Sequence, residues 1–157
     1  MWKKIKPYVI SIIIALAVGG LSALLTKGNM DIYSRINVPS FAPPTILFPV
    51  VWSILYTIMG ISSANVYVNR DKNPKYARDG LVFYAFNLIV NFFWSLIFFN
   101  LNAFLFSFIW LLLLIVIVII MIYDFAKVTK WAGYIQLPYL AWLIFASILN
   151  YSIYIIN

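Results

Sequence analysis

Five runs of apolar residues dominate this chain, at about 8–25, 49–67, 81–99, 103–123 and 131–156. Each approaches or exceeds the roughly 20 residues that carry a helix across a hydrocarbon core. Lipid offers no partner to backbone amides, so runs of this length satisfy them internally as helices. Hydrophobic residues make up 65% of 157, more than a water-soluble domain of this size buries without large exposed patches. The fold class expected is therefore all-α: an integral membrane bundle of five transmembrane helices, in one domain over 1–157 with no internal repeat. The first run is long for the apolar region of a signal peptide, and Thr26-Lys27-Gly28-Asn29 after it offers no small-residue cleavage site.

Charge sets the expected orientation. With five spans, the N-terminus and the loops at 69–80 and 124–130 share one side and hold nine Lys and Arg. The other side, with the long first loop and the C-terminus, holds two. By the positive-inside rule the N-terminus is expected in the cytoplasm and the first loop outside. The +7 net charge is thus read as topology and not as a nucleic-acid footprint. Short tails and the lack of a transit peptide point to a prokaryotic plasma membrane. Trp2-Lys3-Lys4-Ile5-Lys6-Pro7 reads as an aromatic-tipped, basic anchor at the membrane surface, and Trp131 as another interfacial residue.

Much chemistry is excluded. The chain has no Cys, no His and no Glu, and its four acids are all Asp. Thiolate chemistry, the commonest general base, the usual metal ligands and the usual haem axial ligand are all missing. No metal site is expected and no cofactor is required. Asp124 falls just past the expected fourth span, so no ionisable acid is expected at membrane depth, where ion-coupled carriers keep one.

What remains is a set of indoles and amides. Pro39, Pro43 and Pro44 stiffen the loop from Thr26 to Phe48, which is too apolar, with Tyr33 and Phe41, for a mere tether. Pro49 suits a first helical turn, and beyond it Trp52, Tyr56 and Met59 share one face. In the third span Asn87, Asn91 and Trp94 recur at i, i+4, i+7, with Ser95 beside them. Amides in hydrocarbon face the bundle, either as glue between helices or as the lining of a pocket, and the company of a tryptophan favours lining. In the fifth span Pro138, Trp142, Ala146 and Asn150 recur every four residues, with Leu149 adjacent. This stripe suits either helix packing or a pocket wall, and Pro138 a kink. Ala15, Gly19 and Ala23 in the first span allow close helix approach, inside the bundle or at a dimer seam. Trp52, Trp94 and Trp142 on three spans form walls suited to a planar, partly polar guest such as a tetrapyrrole.

Three blocks, PSFAPPTILFPVVWSILYTIMG, NLIVNFFWSLIFF and LPYLAWLIFASILNYSIY, resemble the corresponding blocks of the TspO/MBR family. That family comprises the tryptophan-rich sensory proteins and the translocator protein, once called the peripheral-type benzodiazepine receptor, and the resemblance spans nearly the whole chain. It implies a five-helix bundle, often a homodimer, whose first loop caps a pocket for porphyrins, haem and benzodiazepine-type drugs. By resemblance the pocket takes Trp52, Asn87, Asn91, Trp94, Trp142, Ala146 and Leu149, with Tyr33, Pro43 and Pro44 from the lid. The function implied is that of a membrane receptor, sensor or transporter-like protein whose partners are tetrapyrroles or other planar hydrophobic molecules and membrane lipid. An alternative is a light- and oxygen-dependent porphyrin-degrading enzyme using Trp52 and Trp142, since some members are reported to degrade protoporphyrin.

Two departures from the family stand out. The cholesterol motif of animal members needs a basic residue after a tyrosine near the end of the fifth helix, and Tyr151 is followed by Ser-Ile-Tyr-Ile-Ile-Asn. A loose match, Val118…Tyr123…Lys127, lies on the fourth helix. Trp110 stands where many relatives carry an Asp on the inner face of that helix.

Overall fold

A computed structural model describes residues 2–157, and every regular element among them is helical. Helix α1 is Trp2–Thr26, so the basic anchor is continuous with the first span. A 3₁₀ segment, Lys27–Ser34, and an irregular stretch then lead to α2, Leu47–Val68. Pro49 is the third residue of α2, where the missing amide breaks no intrahelical bond. Helix α3 is Pro74–Ser95 and runs into a π-helical turn, Leu96–Asn100. Helix α4 is Phe104–Val128, α5 is Lys130–Tyr134 and α6 is Leu137–Ile156. Together these give five segments long and apolar enough to cross a membrane. The protein is an integral, multi-pass membrane bundle.

Three local expectations need correction. The stretch 74–80 is not a charged turn but the first two turns of α3, because Pro74 presets the helical φ at the opening position. Its residues then pack on α4: Tyr76 lies edge-on to Tyr123 at 6.1 Å. Secondly, α4 continues through Val128, so Asp124 lies inside a span and is 6% exposed. A Cβ added at Gly80 would stand 3.0 Å from its Cβ, which shows how close α3 and α4 come there. Thirdly, Pro138 does not kink one helix. The fifth span is broken at Ile135–Gln136, and Pro138 sits in the first turn of the new helix, where its lack of an amide is tolerated.

The helices form a closed ring in the order α1, α2, α5/α6, α4, α3 and back to α1. Small residues set the closest approaches. A Cβ at Gly60 would stand 2.6 Å from Ile12 Cα, and one at Gly19 would stand 2.4 Å from the Tyr56 ring. Ala15 is fully buried, so the small-residue stripe of α1 faces inward at Ala15 and Gly19. Outward faces carry exposed Ile13, Leu24, Ile54, Phe93, Ile109 and Val116, the apolar belt that lipid covers. Val118 is fully buried while Tyr123 is exposed, so the loose sterol pattern on α4 does not share one lipid-facing surface.

Polar ties close both ends of the ring. At the basic end Ser62 Oγ donates to Ala132 O at 2.7 Å and Thr129 Oγ1 donates to Asn65 Oδ1 at 2.6 Å. At the opposite end the α3–α4 turn passes through Asn102, whose φ of 52° is a left-handed conformation that asparagine tolerates. Trp110, half-buried on α4, donates its indole N–H to Val90 O of α3 at 2.7 Å.

Candidate ligand-binding site

The lid is held at two points by asparagines. Asn29 Nδ2 donates to Asn100 Oδ1 at 3.0 Å, and Asn100 Nδ2 donates to Leu25 O at 3.2 Å. Farther on, Asn37 N donates to Asn157 Oδ1 at 2.9 Å, and Asn157 Nδ2 returns a bond to Asn37 O at 2.8 Å. Between these points Asp31 pairs with Arg35 at 2.8 Å, and beyond Asn37 the Ala42 N donates to Pro39 O at 3.0 Å in a tight turn. Leu47 N donates to Pro44 O at 2.9 Å, so the lid passes directly into the first turn of α2.

Under this lid lies a cavity of about 500 Å³, within the range of small-molecule sites. Tyr33, Trp52, Tyr56, Asn91 and Trp94 line it, together with Ser95. Trp52 is the hub of the wall: its ring centroid is 5.6 Å from Tyr56, 6.4 Å from Trp94 and 6.2 Å from Tyr139. Trp94 is stacked on Phe98 at 5.5 Å and donates its N–H to Asn150 Oδ1 at 3.4 Å. Asn150 also accepts from Ser107 Oγ at 2.9 Å and donates to Phe104 O, which fixes the indole plane. Trp94 thus has one face on Phe98 and borders the cavity.

The remaining sequence-selected residues stand elsewhere. Asn87 is fully buried below the cavity: its Oδ1 accepts from the Tyr139 hydroxyl at 2.6 Å and its Nδ2 points to Met59 Sδ at 3.4 Å. It is glue between helices and not lining. Asn91 does both, since its Nδ2 donates to the same Tyr139 oxygen at 3.3 Å while the side chain borders the cavity. Trp142, Ala146 and Leu149 are not among the residues that border the cavity. The Phe48 ring is 5.4 Å from Tyr33 on one side and 6.0 Å from Trp142 on the other. Trp52 thus borders the cavity, while Trp142 packs on the far side of the Phe48 ring. Pro43 and Pro44 do not border the cavity, whereas Thr45 and Ile46, which follow, do.

Sequence reading missed two parts of this site. One is the α1 wall, made by Gly19, Ser22, Ala23 and Thr26. The small-residue stripe signals close approach, yet Ala23 and Ser22 leave a gap where Gly19 makes a contact. Ser22 Oγ is buried without a hydrogen-bond partner. The other is Tyr139, fully buried, which joins α6 to both α3 amides. Buried residues 139, 143, 146, 150 and 153 of α6 follow the alternating three- and four-residue spacing of a core stripe. That spacing is visible in the sequence, but the every-fourth-residue pattern from Pro138 obscures it.

Comparison with known proteins agrees with this architecture. Residues 11–155 match the TspO/MBR family. The chain is 35% identical to the tryptophan-rich protein TspO of Chlorobaculum tepidum, over 100% of this chain and 99% of that one. It is 35% identical to the tryptophan-rich protein TspO of Archaeoglobus fulgidus, over 95% of each. It is 30% identical to the translocator protein of Bos taurus, over 87% of this chain and 81% of the other. A match across nearly the whole length, on a five-span bundle with an aromatic chamber under its first loop, makes this chain a member of the TspO/MBR family.

Proposed function

We propose that this protein is a membrane receptor, sensor or transporter-like protein that binds tetrapyrroles such as protoporphyrin IX or haem, or benzodiazepine-type planar molecules, under its first loop. The observation that supports it is the cavity of about 500 Å³ bordered by Trp52, Trp94, Tyr56 and Tyr33. Aromatic faces supply broad apolar contact, and few polar groups fix orientation. Asn91 and the unpartnered Ser22 hydroxyl are those polar groups. The Asp31–Arg35 pair at the rim offers charge to a guest's solvent-facing edge. Asp31 is the one acid among the lining residues and is paired with Arg35, and the chain has no His or Cys to work beside it, which supports the binding reading. The proposal places the N-terminus in the cytoplasm of a prokaryotic cell and the lid outside, on the nine-to-two distribution of Lys and Arg.

Titration of detergent-solubilised protein with protoporphyrin IX tests this reading. Saturable quenching of tryptophan fluorescence is expected, weakened about tenfold or more by Trp52→Ala, since stacking on one aromatic is worth about 1–3 kcal/mol in the comparable case of nucleobases. Equal affinity in wild type, Trp52→Ala and Asn91→Ala would remove the cavity as the binding site.

A further inference from the structure

We infer that the basic end of the bundle carries a headgroup site for an anionic phospholipid, built where α3 begins and α4 ends. It lies apart from the cavity under the lid and does not depend on what that cavity binds.

Two cations are held in place there. Lys75 Nζ lies over the Tyr76 ring at 5.9 Å, and Lys127 Nζ lies over the Tyr123 ring at 5.0 Å. The two rings meet edge-on at 6.1 Å, and Asn73 Nδ2 reaches Lys127 O at 3.5 Å, which ties the start of α3 to the last turn of α4. Ammonium groups from two helices thus flank one aromatic pair. A ring face attracts the cation but leaves N–H donors for an anion. The protein itself supplies no such anion. The ion pairs among the described residues are Asp31–Arg35 at the lid and Asp79–Arg78. Asp79 is therefore taken by Arg78, and Asp124 is buried against Gly80.

The surface leading to these lysines matches the rest of a lipid. On α4, Leu112, Val116, Ile119 and Tyr123 are exposed at helical spacing, and exposed Lys127 follows one turn on. One helix face therefore runs from hydrocarbon to a phenol ring and then to a positive charge, the order of acyl chain, glycerol ester and phosphate in a phospholipid. A soluble anion meets the charge and leaves the apolar stripe unused. A zwitterionic headgroup brings its own cation toward two lysines. An anionic headgroup satisfies both the lysines and the stripe, at the end of the bundle that holds nine Lys and Arg.

The test titrates delipidated full-length protein in a neutral detergent with dioleoylphosphatidylglycerol or dioleoylphosphatidylcholine and counts bound lipid by native mass spectrometry. Phosphatidylglycerol is expected to bind the more tightly. Lys127→Gln is expected to weaken it about fivefold, the worth of one lysine at an anionic membrane surface, and Lys75→Gln with Lys127→Gln about tenfold or more. Lys130→Gln removes the same charge from the same end but outside the cluster, and is expected to change binding less than about twofold. Lys75→Arg with Lys127→Arg keeps the charges and is expected to keep the preference. Should the double Gln variant not fold, the single Lys127→Gln against Lys130→Gln carries the same comparison. Equal binding of the two lipids, or an equal loss in Lys127→Gln and Lys130→Gln, overturns the site. Displacement of the lipid by millimolar glycerol 3-phosphate overturns it as well, because the phosphate alone is then the ligand.

Discussion

Tyr139→Phe removes a single oxygen from the centre of the bundle, and its effect can be worked from the contacts it breaks. That hydroxyl donates to Asn87 Oδ1 at 2.6 Å and accepts from Asn91 Nδ2 at 3.3 Å, so one substitution leaves two amide atoms of α3 without this partner. Asn87 is fully buried and does not border the cavity, so water does not replace the lost partner there. A typical hydrogen bond between membrane helices is worth about 0.6 kcal/mol, but a buried group left unpaired costs about 1–3 kcal/mol. The expected loss is therefore about 2 kcal/mol, which for a chain of this length lowers Tm by roughly 4–8 °C. Thermal unfolding in detergent, followed by circular dichroism, measures it. The sharper check is the double variant Tyr139→Phe with Asn87→Leu. Removing both partners leaves only Asn91 to satisfy, and Asn91 borders the cavity where water can reach it. The double variant should recover at least half of the loss, a coupling that independent sites would not show. A Tyr139→Phe protein within about 0.5 kcal/mol of wild type, or a double variant less stable than the single, would refute a shared hydrogen-bond network at this level of the core.

Three further outcomes are expected. Gly60→Ala should destabilise by about 1–3 kcal/mol, because its Cβ would meet Ile12 backbone at 2.6 Å, while Gly20→Ala, with nothing within 4 Å, should be neutral or stabilising by up to about 1 kcal/mol; paired melting curves decide both. Ser22→Ala should leave Tm within about 2 °C, since its hydroxyl has no protein partner to lose, yet weaken protoporphyrin IX binding about fivefold in the quenching titration. Asn157→Ala should release the lid at Asn37 and leave the transmembrane core intact, seen as faster limited proteolysis within 35–46 at unchanged helicity.

How much of this was legible beforehand differs between the bundle and the site. Segment length and hydropathy dictate five helices, because lipid leaves the backbone no other way to satisfy its amides. The aromatic and amide stripes of α2 and α3 were visible for the same reason: a polar group in hydrocarbon turns inward, and helical spacing says which residues turn with it. That logic brought Trp52, Tyr56, Asn91 and Trp94 to one wall, where the structure has them.

Spacing on one helix does not say what stands opposite, and there only the tertiary structure decides. Asn87 and Asn91 share a face, yet Tyr139 occupies the first and leaves the second partly free. Trp142 has the stripe of a pocket residue, but it packs on the ring of Phe48, delivered by a different helix, and does not border the cavity. On α1, Gly19 lets the Tyr56 ring approach closely, and one turn on Ser22, Ala23 and Thr26 border the cavity instead. One-dimensional periodicity determined which side chains leave lipid. The packing of helix on helix, a property of two surfaces at once, determined which of them meet a guest and which meet each other.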